Sequence, residues 1–297
     1  MTGKRIVRGE RPPSLGFVVR GGGAEAGFTR MELLVVCLCL ATLMMMAHAS
    51  GTKAMARSHG LACLANVRQL ATALQLYAAD NNQLLPGNID NEVRGNWCGG
   101  NLASLSGATN SFALVDAATA PFGSYTKEAR LYRCPDDPST ATISGRLYPR
   151  VRSYSMNSAV GTNPSVSGGK QPTDGAWLDG EHGHRAFQTW RSYGSFQQML
   201  SPAPGSLYVF IEEDPFSINE GCFAGSMTAA EKMIDWPAQN HDGSASISFA
   251  DGHVETHRWE DPRTRVVNGN VSLGVQLRNV DIQWLRARTS AALRPAP

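Results

Sequence analysis

The chain has 297 residues and a formal net charge of +2, and 42% of its residues are hydrophobic against 18% charged. That composition excludes a wholly disordered chain, and the absence of a repeat period excludes a solenoid. Residues 1–27 carry a net charge of +3, so residues 28–297 carry a net charge of −1. Nucleic-acid-binding proteins typically have a basic face, and we therefore expect no nucleic-acid partner.

The first predicted element is an apolar helix. Residues 33–47 contain no charged side chain, and the run extended over residues 28–49 would measure about 33 Å as a helix, enough to cross a hydrocarbon core of about 30 Å. Basic residues precede it, which predicts a cytoplasmic amino end. A secretory signal peptide fits poorly because no small-residue cleavage site closes the run. A plain signal anchor does not explain Glu32, since a carboxylate within a membrane span is a candidate functional group.

The order of residues 27–32, Gly-Phe-Thr-Arg-Met-Glu, followed by the apolar run, resembles the class III signal of type IV prepilins and type II secretion pseudopilins. The resemblance implies that a prepilin peptidase cuts after Gly27 and methylates the new amino terminus at Phe28. It also implies that Glu32 pairs with the amino terminus of a neighbouring subunit during assembly. A positively charged amino group is a partner that can neutralise a buried carboxylate.

An amphipathic stretch continues the helix. Apolar residues recur every three or four positions from Leu61 to Tyr77, and turn-forming residues at 81–82 and 86–87 end the pattern. We predict a leader over residues 1–27, a transmembrane and spine helix over 28–82, and a head over 83–297. The segment from Cys63 to Tyr77 also resembles pseudopilin-like families of planctomycetes and verrucomicrobia.

The head is predicted to be rich in β-strands with long loops. It contains short runs of β-branched and aromatic residues bounded by turn residues, and it lacks the alternation of strands and helices typical of parallel sheets. The expected fold class is therefore α+β and pilin-like, with the long amino-terminal transmembrane and spine helix packed on an antiparallel β-sheet. The predicted strands cover residues 147–156, 207–211, 245–249 and 254–259, and a last helix covers 281–289.

Two Asp-Gly pairs flank an alternating strand near the end of the head, which predicts a hairpin with a two-residue turn at Asp251-Gly252. In that register Phe249 faces Val254. The spacing from His241 to Asp251-Gly252 resembles the H-X9-DG signature of the same prepilin-like families. The segments around Cys134 and after Glu212 resemble further blocks of these families.

The histidines of the head do not predict a metalloenzyme. His253 and His257 would lie about 13 Å apart on a strand, too far to share one ion. His241 and Asp251 would lie about 23 Å apart and are expected to cap adjacent turns. His182 is part of a His-Gly-His sequence that could chelate an ion. Because no H-E-x-x-H, G-x-S-x-G or phosphate-binding glycine-rich loop is present, we predict that the chain is not an enzyme.

A calcium site is the one cofactor hypothesis that the acidic residues raise. Hard oxygen ligands concentrate near the end of a predicted strand, as such a site requires, and the major pseudopilins bind calcium in a head loop. The motif positions of that family do not transfer to this chain, and a solvated acidic loop is the favoured alternative. The candidate ligands are Glu212, Glu213, Asp214 and Asn219.

Four of the six cysteines would lie outside the membrane, in an oxidising compartment where disulfides persist. Four cysteines allow three pairings, and the sequence does not choose among them. We consider Cys63–Cys134 first, because it would tie the helix to the head, and Cys98–Cys222 second. The alternative that some of these four cysteines are free thiols stays open. The other two cysteines, Cys37 and Cys39, lie in the apolar run. We expect them to act as small apolar residues.

The expected function is that of a structural subunit of a type II secretion pseudopilus or type IV pilus-like fibre. Its expected partners are prepilin peptidase, other pilin or pseudopilin subunits and an inner-membrane assembly platform. The expected location is the bacterial inner membrane, with a cytoplasmic amino end and a periplasmic head, and then the fibre. The alternative is a membrane-anchored periplasmic module that binds a glycan or a protein, with sugars stacking on Trp97, Trp177 or Trp190. Changing Glu32 to Ala would abolish fibre incorporation but leave the ligand affinity of a binding module intact.

Overall fold

The structure is a computed structural model that describes Gly27 and residues 29–90, 95–182, 189–265 and 274–293, with the backbone alone at residues 46–56 and Ser167. The leader residues 1–26 and Phe28 lie outside the described residues, so only Gly27 of the predicted cleavage site is described. The chain divides into two compact units, Met1–Gly51 and Thr52–Pro297.

The described helices and strands are few and mostly short outside the first helix. The helices are α1 (Arg30–Asp80), α2 (Leu105–Thr109), α3 (Phe112–Val115), α4 (Gly123–Thr126) and α5 (Val280–Thr289), with short 3-10 helices at Ala129–Tyr132, Ser167–Gly169, Phe196–Gln198 and Pro262–Thr264. The strands are β1 (Thr140–Ile143), β2 (Arg146–Pro149), β3 (Tyr154–Asn157), β4 (Tyr208–Glu212), β5 (Cys222–Phe223), β6 (Ser244–Phe249) and β7 (Val254–Arg258).

Helix α1 begins with a reciprocal cap. The backbone N–H of Glu32 donates to Thr29 Oγ1 over 3.2 Å, and the Glu32 carboxylate accepts from the backbone N–H of Thr29 over 2.8 Å and from its hydroxyl over 2.9 Å. This is the capping box that the pattern Thr-x-x-Glu predicts. These hydrogen bonds lower the pKa of Glu32 below its ordinary value. Glu32 was predicted to act only in assembly, so this local role is additional to the prediction.

The prediction of a membrane-spanning helix is wrong for the part of the chain that is described. No helix there has both the length and the apolar character needed to cross a bilayer. The strongly apolar run, residues 33–47, covers only about 22 Å as a helix, less than a hydrocarbon core of about 30 Å. Extending it to 28–49 included Arg30, Glu32 and His48, which are not apolar. The same finding corrects the expected location in the inner membrane, which assumed a single membrane-spanning helix and a periplasmic head.

The main sheet has five strands in the order β5-β3-β4-β6-β7, and β1 and β2 form a separate hairpin. The chain is therefore α+β, but the predicted antiparallel sheet is wrong, because β3 and β5 pair in parallel, with Met156 opposite Cys222. The other neighbouring pairs are antiparallel. Strand β5 is two residues long, too short to give an alternating signal in the sequence, and the sequence pattern carries no direction of pairing.

The hairpin between β6 and β7 also differs from its prediction. Ser248 lies opposite Val254, and the backbone N–H of Phe249 donates to the carbonyl of His253 over 3.0 Å, so the loop has the three residues 250–252. Its last residue, Gly252, has φ +90°, as a three-residue hairpin loop requires at that position. The pairing is thus shifted by one residue from the predicted register, and the ring of Phe249 stacks on His253 with centroids 4.3 Å apart.

Apolar residues are buried on both sides of the main sheet. On one side, the carboxyl-terminal half of α1 shares a buried cluster with residues of β3 and β4, among them Leu70, Met156 and Val209. On the other side, α5 packs through Ile282 and Leu285 in a second cluster that includes residues of β4 and β6. All six residues of β6 are therefore buried, its serines included.

Candidate functional site

His241, the first residue of the H-X9-DG sequence, lies between two carboxylates and a sulfur atom. Its side chain is 8% exposed, with Nε2 3.2 Å from Glu212 Oε2 and Nδ1 3.2 Å from Asp136 Oδ2. Nε2 also lies 3.4 Å from the Sγ atom of Cys134. We call this group, with Cys63, the His241 cluster. The His241 side chain was expected to cap a turn, but in the structure it lies against these three groups.

Glu212 is the buried acid of the His241 cluster. Its side chain has no exposed surface, Oε1 accepts from Asn240 Nδ2 over 2.8 Å, and Oε2 accepts from the backbone N–H of Ser246 over 3.2 Å. Burial alone would lower the pKa of His241, but the hydrogen bonding and charge of Glu212, with Asp136, raise it above its ordinary value. The two carboxylates therefore favour the protonated form of His241 and oppose the effect of its burial.

A disulfide joins Cys63 of α1 to Cys134, with a Cα–Cα distance of 5.3 Å and a sequence separation of 71. This is the pairing that the sequence analysis considered first. Cys98 and Cys222 are buried free thiols, so the second pairing is absent. Cys37 and Cys39 are also free thiols, but they are exposed. Burial raises the pKa of the Cys98 thiol to about 11.

Both ends of the H-X9-DG sequence lie against α1. A Cβ atom on Gly60 would lie 3.7 Å from His241 Nδ1, and one on Gly252 would lie 2.9 Å from Gln75 Nε2. Gly60 and Gln75 are about 22 Å apart along a helix, and a strand covers a similar distance in about seven residues. The length of the signature thus matches the distance along α1 between the residues that its two ends contact.

Three sequence segments that were treated separately meet at the His241 cluster. They are the segment around Cys134, the end of β4 at Glu212 and the start of the H-X9-DG sequence, and α1 adds His59, which pairs with Asp136. Asp251, at the other end of the signature, accepts from the backbone N–H of His253 over 3.1 Å, as expected for a turn-capping side chain. The meeting of the three segments at His241 could have been suspected only from the shared family resemblance, because no local sequence pattern predicts it.

The four calcium candidates point to different partners. Glu212 joins the His241 cluster, whereas Glu213 accepts from the Ser217 hydroxyl over 2.8 Å. Asp214 accepts from the backbone N–H of Phe216, and Asn219 from that of Glu220. Among the described residues they form no group in which three carboxylates converge. Successive residues of a strand face opposite sides of a sheet, which explains why neighbours in sequence diverge here.

A second candidate site is a cleft of about 340 Å³ in the head, which we call the acidic cleft. Trp177 Nε1 donates to Asp90 Oδ2 over 3.0 Å, and His182 Nε2 lies 3.1 Å from the same oxygen. Burial, and then the charge of Glu213, raises the pKa of Asp235 well above its ordinary value. The acidic cleft is lined by Asp90, Trp177, His182, Asn219, Glu220, Ala224, Lys232, Met233, Ile234, Asp235 and Trp236.

Of the three tryptophans considered for sugar stacking, only Trp177 lines this cleft. Trp97 is fully buried and donates through Nε1 to the carbonyl of Gly221. Trp190 is half-buried and belongs to the surroundings of the main core. The acidic residues of the cleft were missed because Asp90 and Asp235 are 145 positions apart and neither lies in a recognisable motif. His184, the second histidine of the predicted chelating pair, lies outside the described residues.

No family model, no curated protein and no solved structure matches this chain.

Proposed function

We propose that the chain is a prepilin-like structural subunit, cut after Gly27 and assembled through α1 into a type II secretion pseudopilus or type IV pilus-like fibre. The observation that carries the proposal is the exposure of the apolar first part of α1 directly after the prepilin-like signal. Residues 33–36 each expose between 44% and 63% of their surface. Four consecutive residues cover almost a full turn, so the described residues leave every side of this stretch exposed.

The covering surface that we propose is the equivalent stretch of other copies. A monomer rarely exposes a contiguous apolar patch of this kind, and such patches mark sites of association. Helices packed side by side bury apolar residues on all sides, which a helix that is apolar all round requires. Prepilin peptidase and other pilin or pseudopilin subunits are then the expected partners.

Glu32 is proposed to pair with the amino group of Phe28 in a neighbouring subunit. Because Glu32 also caps α1, a change to Ala would remove the cap and the charge together. Glu32→Gln keeps a side-chain oxygen for the capping box and removes only the charge. We expect both variants to be processed normally, and both to be lost from fibres sheared from cells and quantified by immunoblot. Wild-type incorporation of Glu32→Gln would contradict the charge pairing and leave capping as the role of Glu32.

Processing is tested by mass spectrometry of the amino-terminal peptide after co-expression with a prepilin peptidase. We expect a chain that begins with N-methyl-Phe28. A Cβ atom on Gly27 would meet no described residue within 4 Å, and we expect Gly27→Leu to block cleavage. An uncut chain, or one cut elsewhere, would contradict the proposal.

Ligand binding by the acidic cleft is the second candidate function. It is favoured by one observation: the Trp177 ring packs edge-on against His182, with centroids 5.3 Å apart, beside the Asp90 carboxylate. An aromatic ring next to hydrogen-bonding groups is a suitable surface for a glycan. We expect oligosaccharides to quench tryptophan fluorescence in the wild type and in Trp190→Phe but not in Trp177→Ala. Equal quenching in Trp177→Ala, or none in the wild type, would contradict this function.

A further inference from the structure

The His241 cluster brings together four side chains of the types that bind zinc. The Sγ atoms of Cys63 and Cys134, a carboxylate oxygen of Glu212 and a ring nitrogen of His241 all lie within 4.8 Å of one another. The four residues come from α1, the segment after the Ala129–Tyr132 3-10 helix, the end of β4 and the turn before β6. Two thiolates, an imidazole and a carboxylate are ligands that zinc accepts at a tetrahedral site.

Two distances within the cluster are close to the edges of a zinc tetrahedron. Zinc bonds of about 2.0–2.3 Å imply ligand-to-ligand distances of about 3.3–3.8 Å. His241 Nε2 lies 3.4 Å from Cys134 Sγ and 3.2 Å from Glu212 Oε2. The other ligand pairs lie within 4.8 Å of one another, and the two sulfur atoms must separate from a covalent bond to about 3.8 Å, which requires side-chain rotation.

The surroundings of the ligands are those of a metal site. Histidine ligands usually bind the metal through one ring nitrogen and donate the other to a carboxylate. Here Nε2 lies next to Cys134 Sγ and Glu212 Oε2, while Nδ1 lies 3.2 Å from the carboxylate oxygen Oδ2 of Asp136. Glu212 is likewise held by Asn240 through the oxygen that does not face His241.

We propose that reduction of the Cys63–Cys134 disulfide converts the His241 cluster into a Zn²⁺ site. A dithiol reductant gives two electrons and two protons to the S–S bond and becomes a disulfide itself, leaving two thiols on the chain. Zn²⁺ then binds the two sulfur atoms as thiolates, with release of the two thiol protons, together with neutral His241 Nε2 and the Glu212 carboxylate. The same four elements are joined by the disulfide where the compartment is oxidising and by the metal where thiols stay reduced.

The test is a titration of the purified full chain with Co²⁺, followed by displacement with Zn²⁺, under anaerobic conditions. Tris(2-carboxyethyl)phosphine reduces the disulfide and is oxidised to its phosphine oxide. We expect the reduced chain to bind one ion with a thiolate-to-cobalt charge-transfer band, and the oxidised chain to give no such band. Asp136→Asn, which changes a positioning residue and not a ligand, should weaken binding about 10- to 100-fold.

The variants separate this site from adventitious binding by thiols. His241→Ala and Glu212→Gln should each weaken Co²⁺ binding more than Asp136→Asn does, and Cys222→Ala, which removes a buried free thiol outside the cluster, should bind as the wild type does. Formation of the Cys63–Cys134 disulfide in each variant, measured by peptide mapping under oxidising conditions, establishes that the four segments still meet. Absence of the band in the reduced wild type, or wild-type affinity in His241→Ala, would overturn the proposal.

Discussion

Gly252 lies against Gln75, so that a Cβ atom at residue 252 would come within 2.9 Å of the Gln75 side-chain nitrogen. Gly252 also has φ +90°, a conformation that residues with a side chain rarely adopt. The turn at one end of the H-X9-DG sequence thus touches α1 while its histidine lies beside the same helix at the other end. Glycine is needed at this position for the turn, and a side chain there would also displace the end of the exposed Gln75 side chain.

Gly252→Ala should destabilise the fold by about 1–2 kcal/mol in urea unfolding, from the strained backbone and from the contact with Gln75. The control is Gly145→Ala, because Gly145 has φ +78° but nothing within 4 Å of its Cβ position. Shortening the neighbour in Gly252→Ala/Gln75→Ala should recover the part that comes from the contact. If Gly252→Ala costs no more than Gly145→Ala, the contact with Gln75 contributes nothing.

Removal of the disulfide should lower the free energy of unfolding by up to about 4 kcal/mol, the loop-closure value for a separation of 71 residues. The change is Cys63→Ala/Cys134→Ala, measured by urea unfolding under oxidising conditions with a metal chelator present. Cys39→Ala serves as the control, since Cys39 is an exposed free thiol and its loss should matter by less than about 0.5 kcal/mol. A double variant as stable as the control would show that the crosslink does not stabilise the fold.

Asp214 should make stability fall as the pH rises through the acidic range. Burial raises the pKa of Asp214 from 3.8 to about 6, so the folded chain holds the proton more tightly than the unfolded chain does. The stabilisation that comes from this tighter proton binding is complete below pH 3.8, decreases above pH 3.8, and is lost as the pH passes about 6. Asp214→Asn keeps a side-chain oxygen that can accept from the backbone N–H of Phe216 and does not titrate.

The pH effect is measured as the difference in unfolding free energy between the wild type and Asp214→Asn at several pH values. We expect the wild type to lose up to about 3 kcal/mol relative to the variant between pH 3.8 and about 6. A difference that stays constant with pH would mean that Asp214 titrates alike in the folded and unfolded chains.

Asn279 should be the most sensitive helix cap of the head. Its side-chain oxygen accepts from the backbone N–H groups of Asp281 and Ile282, and its amide donates to Gln276 Oε1 over 2.7 Å. We expect Asn279→Ala to cost about 2–3 kcal/mol by thermal or urea unfolding, because a buried cap and a buried hydrogen bond are lost together. Ser104→Ala removes the cap of the short, exposed helix α2 and should cost about 0.5–1 kcal/mol. Equal costs would contradict the role of burial.

The parts of the fold that could be predicted are those with a strong local pattern. The amphipathic half of α1, the strand at β4 and the turn at Gly252 each follow from periodicity or from turn residues in the sequence. The register of β6 and β7 was missed by one residue, because an Asp-Gly pair fits both a two-residue and a three-residue loop. The parallel partner β5 was missed because two residues carry no alternating pattern.

The candidate sites were harder to predict, since each depends on distant segments. Asp136 and His241 are 105 positions apart in sequence but 3.2 Å apart in space, and no spacing rule connects them. The predicted distance between His241 and Asp251 considered partners on one strand only, so the approach of Glu212 and Cys134 to His241 was not predicted. The capping role of Glu32 was available in the sequence, as Thr-x-x-Glu, and was overlooked in favour of the assembly signal.

The outermost strands of the main sheet restrict how copies of this chain can associate. Strand β5 is two buried residues long, and β7 carries Glu255, His257 and Arg258. Short strands and charged side chains at a sheet edge oppose the addition of a strand from another chain. A fibre of this protein would therefore not grow as a continuous β-structure. In the proposed assembly each subunit would keep its own five-stranded sheet, and association would depend on contacts outside the sheet edges.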